Sequence, residues 1–261
     1  MRILFIGDII GRVGRRAIGN FLPKIIDKEQ IGFVIANGEN LAGGIGITPD
    51  TAKELFKMGV DVITTGNHVW KKKEIIPYLK EEERILRPIN YPELAPGRGF
   101  GIYNKEDKKV GVINAEGRIF MNSLDCPFRT TLDAVEKIKG LTPIIIVDFH
   151  AEATSEKEAL GWFLDGKVSA LIGTHTHVQT NDDRVFPGGT GYITDVGMTG
   201  PVDSVIGINK DIAIKRFLSQ MPYKFEVAKG EVELNGVIID VEDISGKCIN
   251  ISKIKVKTSQ I

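Results

Sequence analysis

Short apolar runs alternate with segments of helical period, and a glycine or a polar side chain cuts each run off. This feature restricts the fold more than any other. Arg2–Ile6, Phe33–Ala36, Asp61–Thr65, Pro143–Phe149 and Val168–Ile172 are too short for helices and apolar enough to be buried on both faces. Between the first three lie helical patterns. Ile18, Phe21, Leu22, Ile25 and Ile26 form one apolar stripe. Ala52, Leu55 and Phe56 form another, with Thr48-Pro49 as a start signal and Gly59 as a stop. A β-α-β-α-β order calls for parallel strands with covering helices.

The middle is less regular. Pro88, Pro92, Pro96 and the stretch Gly97–Gly101 mark a connection. Phe100–Tyr103 and Val110–Asn114 read as strands joined by the charged turn Asn104–Lys109. Thr130–Lys139 reads as a helix and Gly191–Thr194 as a further strand. Ser155-Glu156-Lys157-Glu158 has the form of a capping box opening another helix. After Phe225 the period becomes two, through Val232, Leu234, Val237, Ile239, Val241, Ile249 and Ile251, with turns at Lys229-Gly230 and Ser245-Gly246-Lys247. That pattern predicts antiparallel strands that add to or cover a sheet. No repeat or linker interrupts the chain, so a single α/β domain over 1–261 with two packed sheets is expected.

Composition narrows the function. With 261 residues and 42% hydrophobic content the chain can bury a full core without disulfides. Lysine plus arginine and aspartate plus glutamate each total 34. That balance argues against a binder of long nucleic acid, though not against a small nucleotide. Cys126 and Cys248 have neither disulfide-framework nor zinc-module spacing. No run approaches the roughly 18 apolar residues of a membrane helix. The run Ile3–Ile6 is stopped by Asp8 too soon for a signal peptide. A cytoplasmic, membrane-free protein is expected.

The metal-capable side chains gather at strand ends. Asp8 follows the first strand, Glu39 and Asn40 the second, and Asn67 and His68 the third. His150 follows the run ending at Phe149, and His175 and His177 follow the run ending at Ile172. All four histidines of the chain are among them. Ligands bind beyond the carboxyl ends of parallel strands. Carboxylate, amide and imidazole without thiolate suit Mn, Fe, Zn or Ni. Singly, each residue has a plainer reading: an acid can cap a helix, Asn67-His68 can form an Asx-turn, and His150 can be a satisfied core residue. Five segments converging on one rim favour a metal site. The loop Gly43–Gly46 reads mainly as a turn, and Arg12, Arg15 and Arg16 as a solvated helix start. Phe120, Met121 and Phe128 are expected in core packing rather than as a base-binding wall.

The order Asp8, Glu39, Asn67-His68, His150, His175-Thr176-His177 resembles the calcineurin-like metallophosphoesterases. Two elements depart from their pattern: Ile10 stands where a histidine is expected, and the second acidic position is Glu39, followed by Asn40, rather than Asp. The variant is similar to the YmdB-like branch, 2′,3′-cyclic nucleotide phosphodiesterases. The likeness extends through Ile6–Gly11, Asn37–Gly44, Gly66–Trp70, Asp125–Phe128, Asp148–Lys157, Gly173–Gln179 and Thr194–Gly207.

The resemblance implies a two-sheet β-sandwich flanked by helices and a binuclear centre of two divalent metal ions, Fe or Mn before Zn. Carried over by position, Asp8, Asn40 and His177 hold one ion, Asn67, His150 and His175 the other, and Glu39 bridges them. A hydroxide held between the ions would attack phosphorus, and His68 would protonate the leaving oxygen. The implied substrate is a small cyclic nucleotide of the 2′,3′-cAMP type. Two other readings stay open. One is a broader phosphomonoesterase or phosphatase; the other is a regulatory metal- and nucleotide-binding protein acting through a partner or RNA. A homo-oligomer is open too, since the C-terminal strands could pair within the chain or across subunits.

Overall fold

The alternation of strands and helices becomes two stacked sheets with helices outside them. The computed structural model describes residues 1–258. In chain order the elements are β1 (Arg2–Ile6), β2 (Asp8–Ile9), α1 (Gly11–Glu29), β3 (Phe33–Asn37), α2 (Pro49–Lys57), β4 (Val62–Thr64), α3 (Ile75–Glu81) and β5 (Ile85–Leu86). Then come β6 (Phe100–Lys105), β7 (Lys108–Glu116), α4 (Pro127–Ile138), β8 (Ile145–His150), α5 (Thr154–Leu164), β9 (Ala170–Thr174), β10 (Arg184–Val185) and β11 (Gly191–Ile193). The chain continues with β12 (Met198–Pro201), α6 (Lys210–Ser219), β13 (Val232–Val241) and β14 (Cys248–Lys257).

The first sheet runs β2-β12-β13-β1-β3-β4-β5, with β14 along the other edge of β13. Strands β1, β3, β4 and β5 are parallel. The second sheet runs β10-β11-β9-β8-β7-β6, parallel from β11 through β7. The C-terminal strands pair within the chain, and β13 also adds antiparallel to β1.

Side-chain alternation builds the layers. Ile3, Phe5, Phe33 and Ile35 point between the sheets and meet Val110, Val112, Ile146 and Ile172 of the second sheet. Their neighbours Leu4, Ile6, Val34 and Ala36 pack outward on Ile18, Phe21, Leu22 and Ile25 of α1. In the second sheet Ile113, Ile145, Val147 and Phe149 face Ala134, Val135 and Ile138 of α4 and Leu160 and Leu164 of α5. Burial on both faces explains why the strands read as continuous apolar runs.

Two expectations are corrected. Ser155 does not cap α5: the helix starts at Thr154 behind Ala153, with no side-chain cap. Glu158, the box partner three residues on, pairs with Arg184 at 2.6 Å, and Glu156 serves the loop after β7, accepting from the backbone N–H of Arg118 and Ile119 at 3.1 and 3.3 Å. Phe120 is not a core residue. It is 90% exposed at the tip of that loop, while Phe128 packs against Phe163.

Candidate metal centre

The parallel strands of both sheets end at one rim, and five chain segments meet there. Asp8 lies beyond β1 and opens the short strand β2, paired in parallel with β12 through Met198. Glu39 and Asn40 follow β3, Asn67 and His68 follow β4, His150 is the last residue of β8, and His175 and His177 follow β9. All eight residues named from the sequence are thereby brought together.

The contacts are close. His150 Nε2 lies 3.1 Å from Glu39 Oε2 and 3.1 Å from Asn67 Oδ1. His175 Nδ1 lies 3.0 Å from His150 Nε2. His177 Nε2 lies 3.7 Å from Asp8 Oδ1 and 3.4 Å from Asn40 Nδ2. His68 Nδ1 sits 2.9 Å from Asn40 Oδ1 and 3.2 Å from Glu39 Oε1. Asn40 also donates from Nδ2 to Glu39 Oε1 at 3.0 Å.

Backbone conformation makes this convergence possible. Gly66 leaves room that no other residue could: a Cβ there would lie 2.2 Å from His150 Cδ2 and 2.5 Å from Glu39 Oε2. His175 and His177 adopt φ of 101° and 67°, uncommon for side chains with a Cβ. Such conformations persist only where the surroundings impose them, and here those surroundings can be named. The backbone N–H of His175 donates to Asp8 Oδ2 at 3.1 Å, and that of Thr176 to Asp195 Oδ2 at 2.9 Å. Asp195 is itself paired with Lys157 at 2.8 Å, both fully buried.

A polar network stands behind His150. Its Nδ1 is 2.9 Å from Thr174 Oγ1, which donates to Asp148 Oδ1 at 2.7 Å. Asn37 donates to the other Asp148 oxygen at 3.0 Å and ties the second sheet to the end of β3. Sequence reasoning missed Lys157, Asp195, Thr174 and Glu152, whose carboxylate lies 3.2 Å from His175 Nε2. Glu152, Thr174 and Asp195 stand at the ends of β8, β9 and β11, which could have marked them, whereas Lys157 lies within α5 and carried no such signal.

Electrostatics set these groups against one another. Burial raises the Asp8 carboxyl and lifts Asp148 to about 6. Burial would lower His150, but Glu39 and Asp8 beside it outweigh that and raise it to about 9. Burial would raise Glu39, yet His150 and His68 hold it well below the usual carboxylate range. Burial, with His150 alongside, pushes His175 down to about 3.

The donor set fits divalent ions. Asp8 Oδ1 is buried without a hydrogen-bond partner, a costly state for a carboxylate unless a cation meets it. Two groups have ligand atoms all within 4.8 Å of one another: Asp8, Glu39 and His177, and Glu39, His150 and His175. Glu39 belongs to both. The side chain of Ile10 is buried instead beside Gly200 and Gly207, with no donor to offer. Arg15 is spent on Glu54, at 2.6 Å, and on the Leu41 carbonyl.

A model of the family described as YmdB-like protein matches residues 4–254. The chain belongs to that family. It is 47% identical over 254 residues to the 2′,3′-cyclic-nucleotide 2′-phosphodiesterase of Bacillus subtilis, a match covering 97% of this chain and 96% of the relative. A solved structure of a hypothetical protein from Thermus thermophilus is 42% identical with a TM-score of 0.93, covering 98% of this chain and 99% of that one. A novel phosphatase from Mycoplasma pneumoniae is 35% identical with a TM-score of 0.93, covering 98% and 93%. With these relatives and this fold, the chain is an enzyme of the phosphoester-hydrolase kind. No helix among the described residues is long and apolar enough to cross a membrane.

Proposed function

We propose that the protein is a binuclear metal-dependent phosphodiesterase acting on small cyclic nucleotides of the 2′,3′-cAMP type. The observation that carries the reading is Glu39, shared by two potential ligand groups at one buried rim. In this reading Asp8, Asn40 and His177 hold one divalent ion, Asn67, His150 and His175 the other, and Glu39 both. Fe or Mn suits the imidazole, carboxylate and amide set, with Zn as a further candidate. Two such ions would neutralise phosphate charge and activate a water at neutral pH.

The chain's own residues do the rest. Thr174, oriented by Asp148, fixes the ring of His150 from behind. The Ile206 carbonyl, 2.9 Å from His177 Nδ1, fixes the second imidazole in the same way. His68 is anchored through Nδ1 by Asn40 and Glu39 and also lines the pocket beside the cluster. Its other nitrogen is then available to protonate the leaving ribose oxygen. The substrate class rests on the relative from Bacillus subtilis.

The test uses metal-stripped protein refilled with Mn, Fe or Zn and assayed on 2′,3′-cAMP and on a phosphate monoester. Turnover of the cyclic diester should dominate. His68→Ala should lower kcat by about 10²–10⁴-fold while retaining metal. Dominant monoester turnover would point to a general phosphatase. No turnover with any metal would point to a regulatory protein.

A further inference from the structure

A pocket of about 270 Å³ opens directly beside the cluster, sharing Asn40, His68 and His177 with it. Its remaining walls are apolar apart from the glycine backbone of Gly43 and Gly44, and come from Ile10, Ile45, Ile206, Ile208, Phe225 and Val227. Ile45, Ile206 and Phe225 stand half-exposed at its mouth. The volume sits just under the roughly 300–1,000 Å³ of small-molecule sites, the scale of one flat ring system rather than a polymer. An apolar floor next to a polar cluster suits a ligand with a charged end and a flat apolar end. Phe225 adds an aromatic face, itself steadied by the guanidinium of Arg216 at 4.4 Å from its ring centre.

The wall residue Ile206 is held at a cost. Val205 and Ile208 exchange backbone hydrogen bonds of 2.9 and 3.0 Å, closing a two-residue turn. Its central residues, Ile206 and Gly207, have φ of 48° and 98°. That is the signature of a type I′ turn, whose first central position favours Asn, Asp or Gly. A β-branched residue there is strained. The fold would be served better by Asn-Gly, so the isoleucine side chain is explained by what it faces, the pocket.

We infer that this pocket is the nucleobase subsite of the enzyme and that Ile206 is a specificity-determining residue in it, placed by a strained turn so that a base packs between its side chain and Phe225. The inference rests on the cyclic-nucleotide reading above and adds the residues that read the nucleoside. Recognition by apolar contact and stacking predicts strong preference for a base over none, and weak discrimination among bases, because every base has a flat face.

Two variants test it. Ile206→Asn relieves the turn and removes the wall; Val227→Trp fills the pocket. Each is compared with wild type by the ratio of kcat/KM for 2′,3′-cAMP to that for a base-less methyl riboside 2′,3′-cyclic phosphate. Adenosine binding is measured by calorimetry. The ratio should fall about tenfold or more in both variants, with weakened adenosine binding. Ile206→Asn should raise the thermal midpoint by about 2–4 °C. An unchanged ratio and unchanged adenosine binding in both variants would overturn the inference. So would wild-type protein that binds no adenosine and shows no preference for the nucleotide. If wild type hydrolyses neither cyclic phosphate, the cyclic-nucleotide reading fails, and the adenosine titration still decides the pocket.

Discussion

The two sides of the cluster are built differently. Behind His150 and His175 lies a closed polar scaffold: Asp148, Thr174, Asn37, Lys157 and Asp195 are all fully buried and bonded to one another or to the backbone of the histidine turn. Beside His68 and His177 lies an apolar pocket whose wall residues Ile206 and Phe225 are 50% and 48% exposed. The first side has no room for a ligand, and every group in it has a partner to hold. The second has room and carries its strain in a turn. Donor atoms are thus fixed from the sheet side, while the pocket side leaves them open to approach. Rigidity and access are separated across a few ångströms.

The sharpest way to break this contrast is to damage the scaffold. Lys157→Met leaves the buried Asp195 carboxylate uncompensated and should cost about 3–5 kcal/mol in urea unfolding. A cost below about 1 kcal/mol would mean that the pair does not hold the His175–His177 turn. Thr174→Val is milder. It removes the hydroxyl between Asp148 and His150 and should weaken metal binding about 10–100-fold in a chelator competition. Unaltered affinity would show that His150 is oriented without it.

The smallest effect belongs to a site remote from both sides. Glu82 pairs with Arg84 at 2.8 Å beyond α3, and that bond holds its carboxyl below the ordinary range. A lowered carboxylate pKa stabilises the fold above its unfolded value and ceases to do so as pH falls through the folded one. Arg84→Ala should therefore cost about 0.2–1 kcal/mol at neutral pH, where screening keeps exposed pairs weak. The difference from wild type should shrink on acidification, with metal binding untouched. A variant that loses metal would mean that this remote pair is coupled to the rim.

What could be read from the sequence follows the same division. β1, β3, β4, β8 and β9 were legible because burial on both faces makes them unbroken apolar runs, and the chemistry-bearing residues stand where those runs stop. The short pair β2 and β12 has no periodicity to show. Helix α6 hid because its pattern is inverted: among its residues Ala213 is the buried one, while Phe217 and Leu218 face solvent. The Ser155 signal misled because Glu158, which would answer it in a capping box, pairs with Arg184, remote in sequence. The pocket was invisible for a similar reason: its walls come from residues 10, 45, 206 and 225, which lie far apart in the sequence.

The central claim is that Glu39 joins two ion sites into one centre. Elemental analysis of purified wild type and Glu39→Gln tests it directly. Two divalent ions per wild-type chain, with both weakened in the variant, is the predicted result. A single ion in wild type, or a Glu39→Gln protein that keeps two, would contradict it.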